Sequence, residues 1–355
     1  MVINHWVPAA HRGDAIGDNA RRVRDVLRGM GHASDVYALA IDDDLAGDVR
    51  PFDDAEARHG DRTIFHFALA SPMTEAFVSL ASGRILHYHN VTPARFFAPY
   101  DAGIFRLAAL SRRELATLAG RVDLALGVSE YNRRELESLG FCRTGVLPLA
   151  LNLRRLTEAP RCPALEGALT QDEFTNILFV GRVAPNKRIE DHIRLAEHYK
   201  RYVDSAYRFI FVGRTDAVPR YYSMVRALVA EYRMPPERFL FPGPVHDAEL
   251  ATYYRTARAY VSLSEHEGFC APLVEAMAMD VPVLAYSAAA VPETLAGAGA
   301  QFTPKDLEYA AELLGMLVYE DNVREPILEG QRRRVQDFSE EAFVRRLTDV
   351  LDECE

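Results

Sequence analysis

Lysine is nearly missing from this sequence: Lys187, Lys200 and Lys305 stand against 38 arginines. Cysteine is almost as scarce. Cys142, Cys162, Cys270 and Cys354 are widely spaced and form no metal-ligand pattern, which excludes a disulfide scaffold or zinc module and points to a reducing compartment. No apolar run approaches the ~20 residues that a bilayer crossing needs. The start, Met1-Val2-Ile3-Asn4-His5-Trp6, lacks the basic and long apolar regions of an export signal. A cytoplasmic protein is the expectation, with a peripheral position at the inner face of the membrane left open. A basic surplus is missing too. The net charge is -10; residues 1–160 hold 19 Arg and 20 acidic residues, and the remainder 22 basic and 31 acidic. Nucleic acid is therefore not an expected partner. The arginine pairs 21-22, 112-113, 133-134 and 154-155 read as solvated helix faces rather than a membrane-facing patch.

What is present is ample apolar material. With 355 residues and 49% hydrophobic content, the chain can bury two cores. Its organising stretch is Glu265-His266-Glu267-Gly268-Phe269-Cys270-Ala271-Pro272-Leu273-Val274-Glu275-Ala276-Met277, flanked by the apolar runs 259–263 and 281–285. The pattern predicts strand, turn, helix, strand. Gly268 permits a tight turn and Pro272 suits the first helical position. The free N–H groups of that first turn would make an anion site at the end of a sheet. Two carboxylates flank it, Glu267 and Glu275, and a phosphate carrying polyols on both sides satisfies both features.

Along the chain, Val2-Ile3 opens a strand, and a loop over 7–18 carries Gly13 and Gly17 before a helix with Val23, Val26, Leu27 and Met30 on one face. No GxGxxG is formed. Ile41-Asp42-Asp43-Asp44 reads as a solvated turn rather than an Asp-x-Asp metal site. Strands are predicted over 63–67 and 84–90. His87 and His89 share a face of the second, but a third ligand at suitable spacing is absent, and no metal is expected. Phe96-Phe97-Ala98-Pro99-Tyr100 would cover a core or stack on a sugar or lipid. A strand over 124–129 leads into a helix over 131–139 capped by Ser129 or Glu130, and 157–171 reads as a linker. Strands follow over 177–180, 209–213 and 239–241. After Val291-Pro292-Glu293 the remaining segments read as helical, the last with Phe343, Val344, Leu347, Val350 and Leu351 on one stripe.

Several of these motifs together resemble one family. Glu-Gly-Phe-x-x-Pro-Leu-x-Glu-Ala-Met followed by Pro-Val is similar to the signature of the retaining family 4 glycosyltransferases of GT-B fold. So are Phe179-Val180-Gly181-Arg182 with Lys187, Phe211-Val212-Gly213, Phe241-Pro242-Gly243 and Val291-Pro292-Glu293. One departure is Cys270, where family members commonly carry Gly.

The resemblance implies an α/β fold of two doubly wound, Rossmann-like domains facing across a cleft. These would be an acceptor-side domain over 1–160, a nucleotide-sugar domain over 172–335, and a terminal helix within 336–355 crossing back to the first. It implies that Arg182 and Lys187 hold the diphosphate, with the turn Gly268, Phe269, Cys270, Ala271 and Leu273. Glu275 would bind the ribose, Glu267 the sugar hydroxyls, and His89 the sugar or its developing charge; His87 reads as structural, and His66 could compete for either role. Gly213 and Val245 would lie near the nucleoside, and Gly17 near the phosphates or acceptor. The implied reaction is metal-independent transfer of a hexose from a nucleotide-sugar, which is a substrate rather than a cofactor, to a saccharide or lipid-linked saccharide. GDP-mannose is the expected donor and a UDP-sugar the alternative. An epimerase, a sugar-binding protein and a non-catalytic transferase homologue are the competing readings.

Overall fold

Thirteen parallel strands fall into two sheets, one per compact unit. The computed structural model describes residues 1–11 and 13–353, so Cys354 lies outside the described residues. Unit 1 comprises 1–95, 102–151 and 339–355, and unit 2 comprises 96–101 and 152–338.

Unit 1 contains β1 (Ile3–Ala10), β2 (Val36–Ile41), β3 (Arg50–Pro51), β4 (Arg62–Phe67), β5 (Gly83–Tyr88), β6 (Leu124–Gly127) and β7 (Thr144–Val146). Their spatial order is 3-2-1-4-5-6-7, with every pair parallel. Reversal of strand order at β1/β4 makes a topological switch point, beside which α/β sheets bind ligands at their strands' carboxyl ends. The first helix begins earlier than the loop reading allows. Asp14 caps it by accepting from the Gly17 N–H at 3.1 Å, so Ala15–Gly29 is helical and Gly17 sits in its first turn. Ser129, not Glu130, caps the helix Glu130–Ser138. The acidic triple leads into a short turn, Asp43–Leu45, with the Asp42 carboxylate accepting from His11 Nδ1 at 2.7 Å.

The last helix, Glu340–Asp352, belongs to unit 1. Its Phe343, Leu347, Val350 and Leu351 join Ile3, Leu27, Ile64 and Ile85 in one buried cluster. Burying such a stripe stabilises the helix more than its intrinsic propensity does.

Unit 2 contains β8 (Thr175–Val180), β9 (Tyr207–Val212), β10 (Phe239–Gly243), β11 (Ala259–Ser262), β12 (Val283–Tyr286) and β13 (Ala300–Phe302), ordered 10-9-8-11-12-13 and all parallel. The strand β13 corrects the all-helical reading of the C-terminal region. Its three residues are too few to show a period, and the backbone pairing with β12 defines it. The stretch read as a linker also holds a helix, Pro163–Thr170, started by a proline. Residues 96–101 belong to unit 2, where the Tyr100 ring meets that of Tyr221 with centroids 5.1 Å apart. Among the described residues, no helix is long and apolar enough to cross a membrane.

Candidate functional site

In unit 2 the loops after β10, β9, β8 and β11 follow four neighbouring strands, and they carry Val245, Gly213, Arg182 with Lys187, and the glutamate turn in that order. The motifs that are scattered through the sequence thus form one continuous carboxyl edge. Three glycines let the loops lie close. Gly213 adopts φ 139°, and a Cβ there would stand 2.3 Å from the Gly181 carbonyl oxygen, so no other residue fits. Its N–H donates to the Gly243 carbonyl at 3.0 Å.

Asn186 joins the lysine loop to the glutamate turn. Its carbonyl accepts from the Glu265 N–H at 2.9 Å, and its side-chain amide donates to the His266 carbonyl at 3.0 Å. Held in this way, Lys187 Nζ donates to both oxygens of the buried Glu267 carboxylate, at 2.5 and 2.7 Å. A buried carboxylate matched by one cation is stable while paired and costly once the partner is removed. Arg182, by contrast, is exposed and makes no ion pair among the described residues.

The helix Ala271–Ala278 begins at Cys270, with Pro272 in its first turn. Cys270 is in the left-handed region at φ 69° and ψ 63°, which is why a glycine suits this position. Burial raises the Cys270 thiol well above its usual range, and the neighbouring Glu267 charge adds to this, so the side chain is a neutral, small filler. The Leu273 amide donates to the Cys270 carbonyl at 3.0 Å. Phe269 is buried, its carbonyl accepting from the Thr294 hydroxyl.

Glu275, also buried, has both carboxylate oxygens engaged. Tyr254 donates to one at 3.0 Å, and Arg155 donates to the other while also pairing with Asp247 at 2.5 Å. Arg155 had no sequence signal beyond an arginine pair read as a solvated face. Its partner lies far along the chain, and only the packing of the helix Arg154–Thr157 against the helix Asp247–Thr256 brings the two together.

Gly17 and His89 belong to unit 1. A Cβ on Gly17 would lie 3.4 Å from the Ala10 Cα, so glycine lets the helix start close to the end of β1. His89 follows β5 and faces His66 at 2.9 Å between ring nitrogens, and His66 in turn faces His5 at 3.0 Å. His87 donates from Nε2 to the Leu147 carbonyl at 2.8 Å. Burial lowers all four: His5 to about 3, His87 to about 4, and His66 and His89 well below the usual histidine value. These are neutral imidazoles. The third histidine that sequence spacing does not supply comes from the neighbouring strand, where His66 is paired in register with His87.

Residues 167–333 match the model of the family described as glycosyl transferases group 1. The chain is 26% identical over 223 residues to a GDP-mannose-dependent alpha-mannosyltransferase of Mycobacterium tuberculosis, covering 61% of this chain and 54% of the relative. It is 24% identical over 231 residues to an alpha-galactosylglucosyldiacylglycerol synthase of Streptococcus pneumoniae, covering 63% and 59%. The match thus spans a little over half the length of each of these relatives. Its fold is that of the Anabaena HepE protein solved with UDP and glucose, with a TM-score of 0.77 at 15% identity, covering 99% of this chain and 100% of that one. The fold is GT-B, and the similarity to the group 1 glycosyl transferases lies in residues 167–333.

Proposed function

We propose that the chain is a retaining hexosyltransferase that takes its sugar from a nucleoside diphosphate, with GDP-mannose as the donor. The observation that carries this reading is the carboxyl edge of unit 2, where two buried carboxylates are each matched by a cation beside a helix start. A diphosphate arriving there attracts Lys187 and Arg182, whose charges stabilise the leaving group as it departs. Lys187 then releases Glu267 to accept hydrogen bonds from sugar hydroxyls. Glu275 offers its carboxylate to the ribose once Arg155 swings away. His89 contacts the sugar or its developing positive charge.

Retention follows if the acceptor oxygen bonds the anomeric carbon on the face from which the phosphate leaves, with the acceptor proton passing to a phosphate oxygen. Neither a protein base nor a metal ion is required by that step. The acceptor is a saccharide or lipid-linked saccharide, reached from the cytoplasm with peripheral contact to the membrane. The GDP-mannose-dependent relative supports the guanine donor, and the UDP-bound fold neighbour favours a UDP-sugar as the second reading.

Thermal melts with UDP, GDP, ADP and dTDP in the presence of EDTA test this, because a bound nucleotide raises the melting temperature by mass action. A shift with GDP alone supports the proposal, and a shift with UDP alone transfers it to the second reading. No shift with any nucleotide, with or without added magnesium or manganese, overturns the donor site and leaves a non-catalytic homologue.

A further inference from the structure

We propose that His66, His87 and His89 form a binding site in unit 1 for one divalent transition-metal ion of the zinc type. One ring nitrogen from each lies within 4.8 Å of the others. Tetrahedral zinc with bonds of about 2.0–2.1 Å sets its ligand nitrogens roughly 3.3 Å apart, so closure takes side-chain rotation on strands already in register.

A second observation points the same way. The Leu147 carbonyl can only accept, so His87 carries its hydrogen on Nε2 and presents a bare lone pair at Nδ1. That atom is buried and has no hydrogen-bond partner among the described residues. An orphaned acceptor of this kind destabilises the fold, and an ion would satisfy it. The carbonyl on the far side of the ring is the outer support that orients metal-bound imidazoles. His66 is supported likewise, with Nδ1 toward His89 and Nε2 toward His5.

In the metal-free molecule, His66 Nδ1 and His89 Nε2 share one hydrogen. When the ion takes that place, His66 carries its hydrogen on Nε2 and donates it to His5 Nδ1, and His89 carries its own on Nδ1, so three neutral imidazoles ligate without net loss of a proton. His89 is less buried than the other two, which gives the ion an entry side and leaves a fourth position for water.

The test is a titration of the full-length chain with Co2+, read by ligand-field absorption. One equivalent should bind and be displaced by Zn2+. His66→Gln and His87→Gln should each weaken binding by about tenfold or more, whereas His59→Gln, at an exposed histidine, should leave it unchanged. Absence of the absorption, or equal binding by the wild type and both buried-site variants, would overturn the site. If those variants fold poorly, the Cu2+-loaded wild type decides by electron spin resonance: three coupled imidazoles support the site, and fewer sink it. Zinc would also inhibit transfer by occupying His89. That consequence rests on the role given to His89 above, and the spectra do not.

Discussion

The carboxyl edges of the two sheets solve the same problem with opposite chemistry. In unit 2 the polar groups are charged and matched, Lys187 to Glu267 and Arg155 to Glu275. In unit 1 they are the imidazoles of His66, His87 and His89, which burial keeps neutral. A matched ion pair can be opened by a ligand that is itself charged, and a diphosphate is such a ligand. A neutral cluster has no ion pair to open, but its nitrogen lone pairs suit a metal cation. The difference shows how a common α/β frame sets distinct side-chain chemistry at its two edges.

The largest expected effect comes from breaking the charge balance of unit 2. Lys187→Met leaves the Glu267 carboxylate buried and unpaired, which should destabilise the fold by about 3–5 kcal/mol in urea melts and lower turnover by more than tenfold. The double variant Lys187→Met/Glu267→Gln should recover most of the stability and none of the turnover. Recovery of turnover as well would remove the pair from the donor site.

Unit 2 also holds a buried neutral imidazole, His192, which burial lowers to about 4 although two carbonyls face its ring. Unfolded, such a group protonates near 6.5. Its contribution to stability is therefore present above pH 6.5, falls as the pH drops toward 4, and is flat below that. The stability difference between the wild type and His192→Gln should change by about 3 kcal/mol over that window. A constant difference across the range would show that burial alone does not hold this ring neutral.

A smaller effect is expected at Arg155. If the ribose must displace it from Glu275, Arg155→Ala should tighten nucleoside diphosphate binding roughly fivefold, the scale of ~1 kcal/mol. Weaker binding would instead make Arg155 a direct donor contact. The smallest effect is at Cys270, where glycine relieves a left-handed backbone and gives up a buried sulfur. Cys270→Gly should fall within about 1 kcal/mol of the wild type and be more stable than Cys270→Ala, which keeps the backbone cost. The reverse order would show that the sulfur contact outweighs the backbone.

Much of unit 2's edge was legible because its groups are local: each sits in a loop directly after its own strand, and spacing along the chain reports the geometry. Asn186 and Arg155 were not, since each acts on a loop or helix reached only through the packed sheet. The histidine cluster failed for the same reason. His66 and His87 meet through strand register, which a single sequence does not display. Residues 96–101 read as part of the N-terminal half because sequence order was the available guide. Yet the Tyr100 ring finds its partner on the helix Pro219–Glu231 of unit 2.

The terminal helix Glu340–Asp352 has a consequence for the order in which the molecule is made. In unit 1 β1 leaves the ribosome ahead of all of unit 2, yet the core it joins includes Phe343 and Leu347, and Arg143 donates to the Glu353 carbonyl at 2.6 Å. The first sheet therefore waits for the last turns of helix, and during that interval the part of its apolar face that Phe343, Leu347, Val350 and Leu351 bury is uncovered. Unit 2 is emitted in one nearly unbroken run and can close first. Synthesis runs from one terminus to the other, whereas completion of the fold runs from the middle outward.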